Sequence, residues 1–237
     1  MDIRDRVFLV TGASKGIGRA LALGLAREGA RLSLAARTAG LLELVAREAR
    51  SLGAKVVTTP GDVGLPEDAR RIAEAAFAAF GRVDVLVNNA AILTPPTPVE
   101  DTPPEVWEAV LRTNVIGAAN MVRHVLPRME ARGSGVIVNV TSGWGRVGEA
   151  GVAPYCASKF ALEAMTQSLA EEAGRGVVVL AVNPGIVDTA MLRLAWAGEA
   201  SRYPSPEALI PRWLRLFARL EPSWNGRSLD LDDFESA

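Results

Sequence analysis

The chain alternates short apolar runs, rich in β-branched residues, with longer segments rich in alanine and leucine. Several of the short runs are apolar on both faces, as in a parallel sheet that is covered by helices on each side. Strands are expected at 6–12, 31–36, 55–59, 83–89, 135–142, 176–184 and 228–231. Helices are expected near 17–29, 39–52, 66–80, 104–131, 153–173 and 205–220. The alternation predicts an α/β fold, a doubly wound parallel sheet with right-handed crossovers and helices on both faces.

The spacing of these elements is regular and leaves no room for a linker, so residues 1–237 are expected to form one domain. Four of the predicted helices are closed by glycines that suit C-terminal caps, namely Gly29, Gly53, Gly81 and Gly133. A hydrophobic content of 49% with 22% charged residues describes a soluble globular protein that can bury a sizeable core.

Charge and cysteine content restrict the partners and the compartment. The net charge of -1 offers no electrostatic case for binding nucleic acid or an anionic membrane. The single cysteine, Cys156, excludes an internal disulfide and fits a reducing cytosol. The first residues, MDIRDRVFLVTG, place charges directly before a short apolar strand, a pattern that predicts neither a signal peptide nor a membrane span. A cytoplasmic protein is expected.

The first predicted strand leads into the stretch TGASKGIGRA at 11–20, with glycines at 12, 16 and 18. These glycines allow a tight turn and a close approach of the backbone to a ligand. A helix begins at once, and its free N–H groups and positive dipole end suit a pyrophosphate. Glycines at such a turn can also be purely structural. Its place after the first strand of an α/β pattern favours dinucleotide binding.

The end of the second predicted strand indicates which dinucleotide. Sites that prefer NAD usually carry an acidic residue there, which accepts a hydrogen bond from the ribose 2′-hydroxyl. Here Ala36 takes that place and Arg37 follows it. Arg37 and Lys15 together suit a 2′-phosphate, so the sequence favours NADP(H) over NAD(H). In the alternative interpretation both are solvated loop charges.

Tyr155 and Lys159 lie four residues apart in the stretch PYCASKF at 154–160. On a helix this spacing places both side chains on one face. An ammonium beside a phenol lowers the phenol pKa from its ordinary value of about 10, which would suit acid–base catalysis near neutral pH. Taken alone, the pair is more typical of a half-buried tyrosine beside a solvated lysine.

Together with the glycine turn, the stretch NNAA at 88–91, Ser142 and the stretch YCASK at 155–159 make the sequence closely resemble the short-chain dehydrogenase/reductase family. The resemblance runs from about Arg6 to Leu231 and belongs to the compact branch of the family. It implies a Rossmann fold with seven parallel strands, usually in a homotetramer or homodimer. The turn, the second strand and the resemblance together place these residues in the cofactor site: Gly12, Ser14, Lys15, Gly16, Ile17, Gly18, Arg37, Thr38, Asp62, Val63, Asn89, Ala90, Tyr155, Lys159, Pro184, Gly185, Ile186 and Thr189.

The family pattern also implies roles for these positions. Asp62 and Val63 match the pair that flanks the adenine, and Asn88 with Ala90 matches the segment that supports the central sheet. The stretch 184–189 matches the part that holds the nicotinamide carboxamide. Two departures are visible: Ala91 replaces a usual glycine, and the tail SLDLDDFESA places Asp232 and Asp233 where many relatives have glycines. The second departure bears on the usual tetramer interface.

The resemblance implies a catalytic tetrad of Asn114, Ser142, Tyr155 and Lys159. Reduction of a ketone needs a hydride from the cofactor and a proton from a positioned acid. Tyr155 would supply the proton, while Lys159 stabilises its phenolate and holds the nicotinamide ribose. Ser142 would donate to the substrate oxygen, and Asn114 would hold a water that links Lys159 to solvent. Asparagine is mildly unfavourable inside a helix such as the one predicted at 104–131, so the presence of Asn114 there needs a specific explanation.

The substrate wall is expected from 143–152 and from a specificity segment at about 188–204. Residues expected there, besides Ser142, are Trp144, Val152, Ile186, Met191, Leu192 and Trp196. Because this wall is largely apolar, an apolar or aromatic ketone or aldehyde is favoured, with a 3-oxoacyl thioester as an alternative. Arg146 and Arg193 would either receive an acidic group or be solvated rim charges. Cys156 and His124 are expected to have no catalytic role, and no residue cluster has the spacing of metal ligands.

Two rival functions stay open. One is an NAD-dependent alcohol dehydrogenase of the same family, and the other is a non-catalytic NADP-binding regulator. Regulators of this kind typically lose the tyrosine or the lysine, and both are present here as Tyr155 and Lys159.

Overall fold

The computed structural model describes residues 1–196 and 198–234. These residues form a seven-stranded sheet in the order β3-β2-β1-β4-β5-β6-β7, in which every pairing is parallel. The strands are β1 (Val7–Thr11), β2 (Arg31–Ala36), β3 (Val56–Pro60), β4 (Val85–Asn88), β5 (Gly135–Val140), β6 (Val177–Asn183) and β7 (Ser228–Asp230). The predicted doubly wound Rossmann sheet is therefore confirmed.

Most of the helices lie within a residue or two of their predicted places. The exceptions are the helix predicted at 104–131 and the C-terminal helix, both described below, and a short helix after β6 that was not predicted. The helices are α1 (Gly16–Arg27), α2 (Ala39–Ser51), α3 (Pro66–Phe80), α4 (Pro104–Leu111), α5 (Gly117–Arg132), α6 (Ala153–Glu172), α7 (Ala190–Ala195) and α8 (Ile210–Arg219). The four glycines predicted to close helices all have positive φ, between 68° and 91°.

The sheet is buried on both faces, as its apolar strands predict. In β1, Phe8 and Val10 belong to the core that includes Leu21 of α1 and Trp213 of α8. Leu9 between them belongs to the opposite core, with side chains of α3 and α5. Burying each such side chain stabilises the fold by about 1.5–3 kcal/mol. The strand alternation therefore fixes which helices cover which face.

The helix predicted at 104–131 is interrupted in the middle. Between α4 and α5 the chain makes a π-helical turn at Arg112–Ile116, and Asn114 lies within it, buried. A π turn inserts an extra residue and is frequent at functional sites. Asn114 thus lies in a π turn rather than in a regular α-helix, which explains the presence of asparagine within the predicted helix.

The C-terminal part also differs from the prediction. A 3₁₀ turn at Pro206–Leu209 precedes α8, so the helix expected from residue 205 begins at Ile210. After β7 the chain folds back, because Phe234 is buried and packs edge-on against Trp224 with ring centroids 5.5 Å apart. Asp232 pairs with Arg212 at 2.7 Å. The acidic tail is thus part of the fold as far as Phe234.

The strand order reverses between β1 and β4, where ligands of open α/β sheets bind. The carboxyl ends of β1, β4, β5 and β6 meet at the same edge, so the loops that follow these strands surround that crevice. Among the described residues, no helix combines the length and apolar character needed to cross a membrane.

Candidate active site

The glycine turn is held against the end of β4. Gly12 has a φ of +65°, and a Cβ there would lie 2.9 Å from the Cα of Ala90. A Cβ at Gly18 would lie 2.4 Å from the carbonyl oxygen of Gly12. Asn89 fixes this arrangement, because its Nδ2 donates to the carbonyl oxygens of Thr11 at 2.9 Å and Gly12 at 3.3 Å. The side chain of Asn89, expected at the cofactor, thus braces the turn that would carry it.

The N-terminus of α1 lies directly behind this turn. Among the described residues, no side chain caps the helix, and its first turn carries no acidic group. Its first N–H groups are therefore available to an anion. Gly16 has a φ of +55°, and the atoms nearest to a Cβ there belong to Thr189, at 3.6 and 3.9 Å. An uncapped helix start that faces Thr189 across a glycine fits the pyrophosphate of a dinucleotide, with Ser14 and Ile17 half-buried beside it.

The expected adenine end of the site is lined by the residues after β2 and β3. Ala36 is buried, while Arg37, Thr38 and Lys15 are exposed. After β3, the Oδ1 of Asp62 accepts a hydrogen bond from the Gly64 N–H at 2.9 Å. The carbonyl of Val63, next to Asp62, accepts from Nδ2 of Asn120 on α5 at 3.0 Å. The charged side chains of Arg37 and Lys15 are therefore exposed to solvent at the end of the site where a 2′-phosphate is expected.

Tyr155 and Lys159 lie together on α6, in its first two turns. Both are buried, with 9% and 3% of their surfaces exposed. The Nζ of Lys159 donates to the carbonyl oxygen of Val140 at the end of β5, at 2.8 Å, and lies 5.5 Å from the centre of the Tyr155 ring. The lysine of this pair is therefore buried beside the phenol, which excludes the interpretation as a solvated neighbour.

Burial dominates the electrostatics of the pair. It lowers the pKa of Lys159 to about 8, which the charge of Glu163, one turn further along α6, partly opposes. Burial also raises the pKa of Tyr155, and a hydrogen bond from Ser142 works in the other direction. The prediction from the spacing of Tyr155 and Lys159, a phenol pKa lowered by the neighbouring ammonium, is therefore wrong, because desolvation dominates. The phenol is therefore protonated near neutral pH, as a proton donor to a carbonyl oxygen must be.

Ser142 begins the loop that follows β5. Its Oγ accepts a hydrogen bond from the Trp144 N–H at 3.2 Å, and the loop then forms a 3₁₀ turn at Gly143–Gly145. A Cβ at Gly145 would lie 3.0 Å from the carbonyl carbon and oxygen of Lys159. This glycine lets the loop rest directly on α6, which brings the Ser142 hydroxyl to the phenol of Tyr155.

Asn114 acts on α6 through Ser158. Its Nδ2 donates to the Oγ of Ser158 at 2.9 Å and to the carbonyl oxygen of Ile92 at 3.0 Å, while its Oδ1 accepts from the Ile92 N–H at 2.8 Å. Ser158 in turn donates to the carbonyl oxygen of Tyr155 at 2.7 Å. Both amide hydrogens are thus used by the protein, and the side chain holds the Tyr155 turn; the water expected at Asn114 stays a prediction. Ser158 is not among the predicted site residues, although it lies inside the YCASK stretch.

The segment after β6 forms the other side of the crevice. Pro184 is buried, and Gly185, with a φ of +76°, donates its N–H to Oδ1 of Asn183 at 3.1 Å. Thr189 caps α7, because its Oγ1 accepts from the Leu192 N–H at 3.1 Å. Ile186 is 43% exposed. This segment faces Gly16 through Thr189, as a segment that borders the nicotinamide would.

An aromatic wall lies next to Tyr155. The Trp144 ring meets Tyr155 edge-on with centroids 6.0 Å apart, and Trp196 meets Trp144 edge-on at 5.4 Å. Tyr203 lies behind Trp196 at 6.2 Å. Four of the predicted wall residues are thus close together, because Val152 and Met191 pack in the same cluster as Tyr155, with Leu93, Cys156 and Ala195. Leu192 is half-buried outside that cluster. Tyr203 falls within the predicted specificity segment but was not named individually, and Leu93 lies outside both predicted parts of the wall.

The two arginines near this wall are already paired. Arg193 forms two contacts of 2.9 Å with Asp188, which lower the pKa of that carboxyl. Arg146 contacts Asp230 at 2.7 and 2.9 Å. Their charges are neutralised within the protein, so neither is placed as a receptor for an acidic substrate. Burial raises the pKa of the Cys156 thiol, in keeping with a packing role. The described residues hold no group of three His, Cys, Asp or Glu side chains that would suit a metal ion.

Comparison with known proteins agrees with this geometry. A pterin aldehyde reductase of Arabidopsis thaliana, named as NADPH-dependent, is 38% identical over 227 residues, which cover 96% of this chain and 93% of its own. A short chain dehydrogenase structure from Salmonella enterica serovar Typhi matches with a TM-score of 0.89 and 32% identity, over 97% of each chain. A 3-ketoacyl-(acyl-carrier-protein) reductase from Brucella melitensis, complexed with NADH, matches with a TM-score of 0.87 and 31% identity, over 96% of this chain and 97% of that one. The sequence profile described as short chain dehydrogenase matches residues 6–200, and the chain therefore belongs to the short-chain dehydrogenase family.

Proposed function

We propose that the protein is an NADP(H)-dependent oxidoreductase that reversibly reduces an aromatic or otherwise apolar carbonyl compound to an alcohol. The observation that carries this proposal is the buried Tyr155–Lys159 pair, with Ser142 beside the phenol. The pair lies at the end of the sheet where the glycine turn leads into the uncapped helix α1. A binding module has no need to bury an ammonium next to a phenol at the mouth of a dinucleotide crevice.

The chain's own groups divide the work of proton transfer. The Ser142 hydroxyl donates to the substrate carbonyl oxygen and orients it, and Tyr155 delivers its phenolic proton to that oxygen. Lys159 stabilises the resulting phenolate by its charge and binds the ribose hydroxyls. Asn114 keeps the Tyr155 turn in place through Ser158. When bound, the nicotinamide supplies the hydride that the carbonyl carbon accepts.

The preference for NADP(H) rests on charge at the ends of β1 and β2. An exposed Arg37 follows Ala36 where NAD sites place an acid, and Lys15 is exposed in the glycine turn. The Arabidopsis relative named as NADPH-dependent supports this preference, whereas the Brucella structure with NADH supports the rival cofactor. Titration with both cofactors, followed by a carbonyl screen with the preferred one, tests the assignment and the activity together.

Removal of Arg37 tests the cofactor preference directly. In Arg37→Ala we expect the ratio of kcat/KM for NADPH to that for NADH to fall about tenfold or more, because charge-assisted hydrogen bonds to the 2′-phosphate are lost. Arg175→Ala is the matched control, since Arg175 is exposed before β6, at the opposite edge of the sheet. An unchanged ratio in Arg37→Ala contradicts the assignment.

The aromatic wall supports an aromatic or apolar substrate. Rings of Trp144 and Trp196 extend from Tyr155 and offer faces and edges for a planar group. The pterin aldehyde of the Arabidopsis relative fits such a wall, and the 3-ketoacyl substrate of the Brucella relative keeps a 3-oxoacyl thioester as the second candidate. Turnover confined to small polar sugars would contradict an apolar wall.

Truncation of Trp144 should separate substrates by their aromatic area. In Trp144→Ala we expect kcat/KM for a bicyclic aromatic aldehyde to fall about tenfold, because ring contacts are lost. The value for a short aliphatic aldehyde should change little, and Trp144→Phe should recover part of the loss. Steady-state kinetics on both substrates measure this, and equal losses for the two aldehydes would count against the wall as a selector.

The rival from another class, a non-catalytic NADP-binding regulator, makes a different prediction. It requires tight NADPH binding without NADPH oxidation over a broad carbonyl panel.

The remaining proposals concern domain organisation, compartment and assembly: the protein forms one domain, lies in the cytoplasm and assembles as a homodimer or homotetramer. Light scattering of the purified protein tests the assembly.

A further inference from the structure

One carboxylate lies between the two loops that flank the crevice. Asp230 is the last residue of β7, next to β6 in the sheet. Nη1 of Arg146 lies 2.9 Å from its Oδ1 and 2.7 Å from its Oδ2, and Nη2 of Arg146 donates to Ser228 Oγ at 2.7 Å. The Nδ2 of Asn183 donates to the same Oδ1 of Asp230 at 2.7 Å. Asp230 therefore joins a loop residue after β5 to the last residue of β6.

The Arg146 side of this link leads to Ser142. Arg146 closes the 3₁₀ turn that Ser142 begins, since its N–H donates to the carbonyl oxygen of Gly143 at 3.0 Å. The Gly145 N–H donates to the carbonyl oxygen of Ser142 at 2.8 Å. The Nε of Arg146 also lies 3.7 Å from the buried Glu163 on α6. Arg146 thus ties the Ser142 turn to both α6 and β7.

The Asn183 side of the link leads to the segment expected at the nicotinamide. The Oδ1 of Asn183 accepts from the Gly185 N–H at 3.1 Å, which sets the direction of the chain as it leaves β6. The amide of Asn183 thus bridges the Asp230 carboxylate and the backbone of Gly185. Movement of Asp230 would be felt on both sides of the crevice.

We propose that Asp230 is a positioning residue that fixes the Ser142 loop relative to the segment 183–189, and so aligns the substrate oxygen with the nicotinamide. The catalytic part of this inference rests on the proposed function. The Asp230 and Arg146 side chains are 41% and 35% exposed, and ion pairs so exposed add little to overall stability. The effect is therefore expected in alignment rather than in stability, and small misalignments at a reaction centre are costly.

Two substitutions of Asp230 separate the two arms of the link. Asp230→Asn keeps an oxygen that can accept from Asn183 but removes the charge that holds Arg146. Asp230→Ala removes the contacts with both Asn183 and Arg146. We expect kcat to fall about tenfold in both variants, because the Ser142 loop is released. We expect the Kd of NADPH to rise severalfold in Asp230→Ala alone. Asp233→Asn is the control for charge, since Asp233 is exposed three residues further on.

Hydrogen exchange of the protein alone tests the link without any substrate. We expect faster exchange at 142–146 in both Asp230 variants, and faster exchange at 183–189 only in Asp230→Ala, with melting temperatures near that of the parent protein. Exchange and kinetics that match Asp233→Asn would overturn the proposal, and so would a uniform rise in exchange with a lowered melting temperature. An inactive parent protein would instead contradict the proposed function, while the exchange comparison would still decide whether Asp230 links the loops.

Discussion

Replacement of Tyr155 by phenylalanine is expected to lower kcat by about a thousandfold or more, because a positioned acid contributes about 10²–10⁴ to the rate. The change removes the one oxygen that donates a proton to the substrate and keeps the ring. That ring packs with Leu93, Val152 and Cys156 and meets Trp144 edge-on, so the surrounding wall should survive. Carbonyl-dependent oxidation of NADPH at saturating substrate measures the loss.

Binding of NADPH provides the internal control for this variant. Tyr155→Phe should bind NADPH with a Kd close to that of the parent protein, since the glycine turn, Arg37 and Lys159 are untouched. Its melting temperature should also stay close, because a phenol has been replaced by a smaller apolar ring in a buried place. A variant that keeps substantial reductase activity would show that another group supplies the proton, and the mechanism built on Tyr155 would be wrong.

The sheet could be predicted from the sequence because the burial of each strand is reflected in the strand's own residues. Strands covered on both faces read as continuous apolar runs, and β1 and β6 show this in the almost complete burial of their residues. The glycine turn was equally accessible, since Gly12 and Gly18 leave no room for a Cβ at their places. Only glycine satisfies such a constraint, so the sequence shows it at a single position.

The connections between elements were not accessible in the same way. The Asn114–Ser158 contact joins residues 44 apart in the chain, and the Arg146–Asp230 pair joins residues 84 apart. Asparagine, serine, arginine and aspartate are common at surfaces and helix ends, so none of them signals a particular partner. The π turn that brings Asn114 to Ser158 depends on tertiary packing, which overrides local helix propensity. Hence the fold and the residues proposed as the tetrad could be predicted from the sequence, and the catalytic roles of those residues stay predictions. The contacts that position these side chains could not be predicted.

Lys159→Ala is expected to damage both cofactor binding and turnover. In the parent protein the ammonium is buried beside Tyr155 and donates to the carbonyl oxygen of Val140. Its loss removes charge-assisted hydrogen bonds to the ribose, so the Kd of NADPH should rise about tenfold or more. Its loss also removes the charge that stabilises the Tyr155 phenolate, so kcat should fall about a hundredfold or more. A variant with an unchanged Kd would contradict the ribose-binding role.

The pH dependence of NADPH binding gives Lys159 a second signature. Because burial lowers the pKa of Lys159 to about 8, the protonated form dominates below that pH, and the ammonium is lost as the pH rises through it. NADPH affinity should therefore be highest below pH 8 and should weaken across the interval just above it. In Lys159→Ala the weaker affinity that is left should not change over the same interval, since the titrating group is absent. Cofactor titrations of both proteins from neutral to alkaline pH measure this, and a parallel decline in the variant would assign the titration to another group.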